Sequence, residues 1–370
     1  MVLVLGNEEV QGILDMPMCM AALDDAYRDM GATTSSTSPR IDLLTPRAYV
    51  DPANTILPGC HMLKTMSAAT PRYAVIRFLT DHVFWRETGD FIRRERTPAT
   101  KRRHSVTRGL ILLLSVETGD LVAMISEGHI RNLRVGASAG LAARYLAREN
   151  STRMGLLGSG FMARAHVEAI QQARNIESLR VFSPDPEHRQ RFAEEVQAAT
   201  GINTSAVNAP EEAFHDADIV VLATNAITPV LDPKWLEPGM YVASVRHCEI
   251  APDTFSRFDL LTVNSKDNLG PTTFLSRSAD VTLPEQAVLD LEKGYPPGDA
   301  TNIDWQNLPD LPDLLLGRHP GRTEASQLTC FNNSVGFGLQ FAACAERVYE
   351  TAIQRGIGKE IPDELFPDLF

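Results

Sequence analysis

No stretch of this sequence approaches the roughly 18 to 20 unbroken apolar residues that a membrane-spanning helix requires, so no membrane role is expected. Its five cysteines are scattered, odd in number and without any C-x-x-C pair, which argues against a disulfide framework or a zinc ribbon and for reduced thiols. No two histidines or carboxylates stand at ligand spacing in a plausible site, so no metal is expected. The opening residues have no basic leader, and their short apolar run is broken by Asn7, Glu8 and Glu9; the cytoplasm is the expected compartment. Positive charge is in deficit: 35 Lys and Arg against 47 Asp and Glu give a net charge of -12, a field that repels nucleic-acid phosphates. There is no internal repeat and no low-complexity tract.

What is present is a chain of 370 residues, 44% hydrophobic and 22% charged, long enough for two domains. Val10, Ile13, Leu14, Met18, Ala21, Ala22 and Ala26 fall near helical spacing, with Pro17 suited to a first helical turn. Short apolar segments between residues 41 and 116, separated by Pro, Gly and Asp, read as strands of a small mixed sheet. Between Leu79 and Ser105 the strand rhythm is broken by charge, densest from Arg93 to His104, and the bland reading of that run is a solvated hairpin. A helix rich in Gly, Ala and Ser follows His129 and is expected to bridge two domains. Beyond it, strands and helices alternate at lengths that imply a doubly wound parallel sheet. The tail from Thr329 reads as one long helix after a turn.

The segment Gly158-Ser159-Gly160-Phe161-Met162-Ala163 is a G-x-G-x-x-A that follows an apolar strand and opens an amphipathic helix. Gly158 permits the tight turn, Gly160 clears space for a pyrophosphate, Ala163 lets helix pack on strand, and free N–H groups at the helix start bind the anion. The reading is a dinucleotide site. Where NAD enzymes carry a ribose-binding carboxylate, this chain has Ser183. Ser183 with Arg189 or Arg191 suits a 2′-phosphate, while Asp185 argues for NAD; NADP is favoured. Thr224, Asn225 and Val245 lie at strand ends, where ligands sit in such sheets.

Several blocks together resemble the ornithine cyclodeaminase / mu-crystallin superfamily: Pro39-Arg40, the segment around Lys64, the block from Glu117 to Ala147 with Arg134, the glycine fingerprint, the segment from Leu222 to Val242, and the closing helix. The resemblance implies a Rossmann domain (136–321) inserted in a discontinuous α+β substrate and dimerisation domain (1–135 plus 322–370), an NAD(P) cofactor and a homodimer. It also implies that Arg40, Lys64 and Arg134 face the substrate. Two guanidinium groups and an ammonium suit an α-carboxylate, and Lys64 can transfer a proton if its pKa is lowered.

The resemblance also exposes departures. The aspartate that true cyclodeaminases carry after the strand matching Tyr241–Val245 is missing; Arg246, His247, Cys248 and Glu249 stand there instead. His247 or Glu249 is then the substitute acid or base, and Cys248 a packing residue. Asn333, Gln340 and Phe341 replace charged positions, and the interval from Lys64 to Arg134 is longer than the family's. The expected activity is NAD(P)H-dependent reduction of an imino acid to an amino acid, or the reverse, with a small-molecule substrate. The alternatives are a cyclodeaminase-type lyase with recycled NAD and a non-catalytic NADP-binding protein.

Overall fold

The computed structural model describes residues 1–88, 91–96, 109–266, 272–275, 303–333, 336–362 and 365. Ten strands form one mixed sheet. Its main path runs Thr272–Leu275, Ile41–Pro46, Gly59–Ala69, Tyr73–Thr88, Gly109–Ser115, Leu121–Ser126, Val2–Leu5 and Lys359–Ile361; Ser36–Thr37 and Phe91–Arg96 pair at its side. Alternation assigns the faces: along Ile41–Pro46, Asp42, Leu44 and Pro46 are buried while Ile41 and Leu43 are exposed. The helices Met16–Gly31 and Gly338–Arg355 pack together, and the second lies across Gly59–Ala69 and Tyr73–Thr88.

The second sheet has seven parallel strands in the order Asn203–Ala206, Ser178–Phe182, Arg153–Leu157, Ile219–Leu222, Tyr241–Ser244, Thr329–Asn332, Leu260–Val263. Ile219–Leu222 and Tyr241–Ser244 are buried at every residue, as a parallel strand covered on both faces requires. The direction of winding reverses between Arg153–Leu157 and Ile219–Leu222, which opens a crevice at the carboxyl ends of these strands. The class is α/β, a doubly wound sheet joined to an α+β unit.

Four expectations are revised. The N-terminal helix is two helices, Asn7–Ile13 and Met16–Gly31, because Asp15 accepts a hydrogen bond from Met18 N at 2.8 Å and starts a new helix with Pro17 in its first turn. The tail is not helical throughout: Thr329–Asn332 is a strand of the second sheet, so that sheet runs past the 321/322 boundary. Thr272–Leu275 crosses the other way and pairs with Ile41–Pro46 of the first sheet. The charged segment after Leu79 continues its strand to Thr88 and returns as Phe91–Arg96, with Trp85 opposite Arg94. The rest of the basic run, 97–108, lies outside the described residues. Among the described residues no helix is long and apolar enough to cross a membrane.

The helix Gly128–Leu146 joins the sheets by crossing Phe161–Ala173 at very close range. A Cβ at Gly136 would stand 2.3 Å from the Ala165 carbonyl oxygen, and one at Gly140 2.7 Å from that of Ala169. Only glycine permits this backbone approach. The variant Gly136→Val should therefore lose about 1–3 kcal/mol of stability through forced separation of the two helices, measured by chemical denaturation. An unchanged midpoint would show that the crossing can relax freely.

Candidate functional site

The crevice is one cavity of about 1240 Å³ whose walls come from both sheets. On the second-sheet side, the turn after Arg153–Leu157 holds Gly158 at φ +111, and a Cβ there would lie 2.3 Å from the Ala223 carbonyl oxygen. Gly158 N donates to Phe182 O at 2.8 Å, which ties the turn to the next strand. Gly160 begins the helix Phe161–Ala173 with no side-chain cap, and a Cβ built on it would meet open space in the cavity wall. The uncapped N–H groups and positive helix end thus face a volume kept clear of side chains, which fits a pyrophosphate. Ala163 is fully buried beneath the turn, Met162 lines the cavity, and the Phe161 side chain is 80% exposed.

Beside the glycine turn, Ser159 Oγ donates to Ser183 Oγ at 2.8 Å and lies 2.6 Å from His188 Nδ1. Asp185 caps the helix Pro186–Thr200 by accepting from His188 N at 2.9 Å, and that backbone N–H holds its carboxyl below the usual range. Arg189, expected to meet a ribose phosphate, turns inward. Its guanidinium donates to Ser183 O at 2.9 Å and Asn208 Oδ1 at 2.7 Å and lies over the Phe182 ring. His188, which the sequence reading passed over, lines the cavity instead.

Thr224, Asn225, Val245 and His247 also line it. Glu249 does not act at the surface of the cavity: fully buried, it accepts from Thr224 N and Oγ1, both at 2.7 Å, and from Arg246 N at 2.9 Å. Burial raises its carboxyl pKa, and the donated hydrogen bonds work against that rise. These bonds tie the loop after Ile219–Leu222 to the turn after Tyr241–Ser244. Cys248 packs among Leu44, Cys60, Met62, Val83, Trp85 and Ile227.

On the first-sheet side, Arg40, Lys64 and Arg134 all reach the same cavity. Asp42, paired across the strands with Lys64, accepts from Lys64 Nζ at 2.7 Å and lies 3.1 Å from Arg40 Nε. Burial first, and then the charges of Arg40 and Arg94, lower the Lys64 pKa to about 7; Asp42 opposes them. Arg134 Nη1 donates to Gln340 Oε1 at 2.5 Å, and its guanidinium lies 5.0 Å from the Phe341 ring centre. Gly336 is tight against it, because a Cβ there would stand 1.8 Å from Nη1. Gln340 is itself fixed, donating to Tyr27 Oη at 2.9 Å and Ser138 Oγ at 3.0 Å. Burial lowers Arg134 to about 10, so it stays charged at neutral pH. The Nε atom of Arg40 is thus in ion-pair contact with Asp42, while the buried Arg134 Nε has no hydrogen-bond acceptor among the described residues. Arg40 and Arg134 nonetheless line the cavity, and guanidinium groups so placed suit a carboxylate there.

Several wall residues were not anticipated as part of the site. Arg77 and Arg131 share the buried Glu127, at 2.6 Å and 3.0 Å. Arg94 and Arg96 enter from the hairpin, and Asn333 donates to Val135 O at 2.8 Å while lining the cavity. The segment from Phe91 to Arg96 carries no alternation that marks a strand; its pairing places Glu95 and Arg94 opposite Phe84 and Trp85. Among the described residues, no group of three or more His, Cys, Asp or Glu is placed to hold a metal ion.

Comparison with known proteins finds similarity in sequence and in fold. Residues 95–263 match the ornithine cyclodeaminase/mu-crystallin family. The delta(1)-pyrroline-2-carboxylate reductase of Bacillus cereus is 27% identical over 258 residues, covering 68% of this chain and 74% of that protein. The alanine dehydrogenase of Archaeoglobus fulgidus is 24% identical over 97% of this chain and 98% of its own. In fold, the delta(1)-pyrroline-2-carboxylate reductase of Thermococcus litoralis, solved with NADH and L-proline, superposes with a TM-score of 0.74 at 23% identity, over 97% of this chain and 100% of that one. Over residues 95–263, somewhat under half of its length, the chain is similar to the ornithine cyclodeaminase/mu-crystallin family.

Proposed function

We propose that this protein is an NAD(P)H-dependent oxidoreductase that reduces the C=N bond of an α-imino acid to give an amino acid, or runs the reverse dehydrogenation. One observation carries the reading: the uncapped glycine turn and the Arg40, Lys64 and Arg134 cluster open into a single cavity. The reductase and dehydrogenase relatives support the same chemistry. When bound, the reduced nicotinamide supplies the hydride. The chain's own residues would do the rest. Arg40 and Arg134, whose guanidinium groups line the cavity, hold the α-carboxylate, which fixes the imine carbon in place. Lys64, near neutrality, donates a proton to the imine nitrogen, and His247 is the second acid or base on the same wall.

Gly158, Ser159, Gly160, Phe161 and Met162 form the pyrophosphate cradle, with Thr224, Asn225 and Val245 beside it. Ser183 and His188 favour NADP(H) over NAD(H), because no carboxylate at that position repels a 2′-phosphate and Asp185 is occupied by its helix. Ile41, Leu43 and Ile76, each at least 41% exposed, support a homodimer built through the first sheet.

The test is NADPH and NADH oxidation against cyclic imino acids and against 2-oxo acids with ammonia or methylamine. Imine-dependent consumption of cofactor is expected; release of ammonia from ornithine with no net cofactor change would favour the lyase chemistry instead. A separate expectation concerns Gly160→Val. Its side chain would occupy open space in the cavity and not the core, so the fold should persist while dinucleotide binding weakens by about 1.4 kcal/mol or more, a tenfold rise in Kd. Titration calorimetry reads this directly, and an unaltered Kd would remove Gly160 from the cradle.

A further inference from the structure

Arg134 is held in the cavity wall by a residue that is itself held. The side chains behind it are buried and come from both halves of the molecule. Tyr27 lies on Met16–Gly31, Ser138 on the same helix as Arg134, Gln340 on Gly338–Arg355, and Asn264 directly after the strand Leu260–Val263 of the second sheet. Tyr27 Oη donates to Asn264 Oδ1 at 2.5 Å, and Ser138 Oγ donates to Arg134 O at 3.0 Å. Gln340 Nε2 donates to both hydroxyl oxygens, while its Oε1 faces Arg134 Nη1.

Counting protons fixes the sense of this network, because a hydroxyl has one hydrogen to give. Burial pushes the Tyr27 phenol up, so it keeps its proton, and Asn264 takes it. The Ser138 proton goes to the Arg134 carbonyl. Both hydroxyl oxygens can then only accept, and the two amide hydrogens of Gln340 satisfy them. Turned over, the amide would set its carbonyl oxygen against two oxygens with no proton to offer, and its NH2 against a guanidinium. The carbonyl end therefore points at Arg134, where it also accepts from Phe337 N at 3.3 Å. Because Gln340 is neutral, it orients the guanidinium without cancelling its charge; a carboxylate at this position would compete with the carboxylate of a ligand.

We propose that Tyr27 is a positioning residue for substrate binding: its hydroxyl sets the orientation of the Gln340 amide, and the amide sets Arg134 to receive the α-carboxylate. This rests on the reading of Arg134 as a carboxylate clamp. Tyr27 acts from behind the wall and does not itself line the cavity. Without its hydroxyl, one buried amide hydrogen of Gln340 loses its acceptor, and the amide is free to turn. The Tyr27 ring packs edge-on against Phe337, with centres 5.8 Å apart, a contact that phenylalanine keeps.

Crystal structures of the substrate-free wild type and of Tyr27→Phe test the positioning without any turnover. The expected difference is a Gln340 amide turned or withdrawn, and an Arg134 guanidinium displaced from its place in the wild type. A double-mutant cycle tests the consequence. Tyr27→Phe should lower kcat/KM for the preferred imino acid about tenfold, mainly through KM. In a Gln340→Glu background, whose own KM is raised, the same change should have an effect of less than about twofold, because a carboxylate has two equivalent oxygens and no end to orient. A purely structural role would cost the same factor in both backgrounds. That equality, or an unmoved Gln340 and Arg134 in Tyr27→Phe, would overturn the inference. If the wild type reduced no imino acid, the oxidoreductase reading would fail, while the two crystal structures would still decide whether Tyr27 positions Arg134.

Discussion

Lys64→Met should lower kcat for imine reduction about 10²- to 10⁴-fold, the range usual for loss of a positioned general acid. Burial favours the neutral amine, and Arg40 and Arg94 disfavour a third cation; Asp42 pulls the other way, and the balance lies at about 7. A lysine so poised can give and regain its proton at neutral pH, which an ordinary exposed lysine does poorly. The pH profile has a definite sign. Reduction requires protonated Nζ, so its rate should fall as pH rises through about 7, whereas the reverse dehydrogenation requires the free amine and should rise over the same interval. Lys64→Met should abolish that limb in both directions. A variant that kept the wild-type rate and profile would transfer the role to another group, with His247 next in line.

Arg134→Met is expected to cost about 2–5 kcal/mol in kcat/KM, because it removes one half of a desolvated carboxylate clamp. The mutation should spare the fold. Gln340 would lose one partner but keep Tyr27 and Ser138, and methionine would still rest on the Phe341 ring. Arg134→Lys should remain well below wild type, since an ammonium restores the charge without the fork that Gly336 and Gln340 are shaped to receive. Steady-state kinetics with matched thermal denaturation would separate the binding loss from misfolding. If Arg134→Met behaved as wild type, the carboxylate clamp would lie elsewhere.

How far the chain could be read beforehand follows from how local each feature is. Gly158, Gly160 and Ala163 do their work within six residues of one turn, so strand, turn and helix are visible together. Lys64, Arg40 and Arg134 were reached through resemblance, and the structure supplies what sequence order hides. Asp42 stands two residues after Arg40, but its position beside Lys64 is set by the register of antiparallel strands. Glu249 has the composition of an acid or base, yet a short turn points it at Thr224. Arg189 had the charge for a phosphate but sits on the inner side of its helix, where Asn208 and Ser183 engage it.

The hairpin is the clearest case of tertiary context overriding composition. Its arginines look like a solvated charge run until the strand Phe91–Arg96 meets Asn225 and Ile227, far along the chain. The same holds for Thr329–Asn332. As an isolated segment it reads as the entry to a helix, and only the open edges of Tyr241–Ser244 and Leu260–Val263 make it a strand.

The most direct measurement follows the transferred hydrogen. The protein would be supplied with nicotinamide cofactor deuterated at the transferable position and an imino-acid substrate, and the product analysed by mass spectrometry and proton NMR. The expected product is an amino acid with one deuterium on Cα, formed in equal amount to the cofactor oxidised. Product without deuterium, or turnover without cofactor oxidation, would contradict the reductase account and point to chemistry in which the hydride returns to its donor.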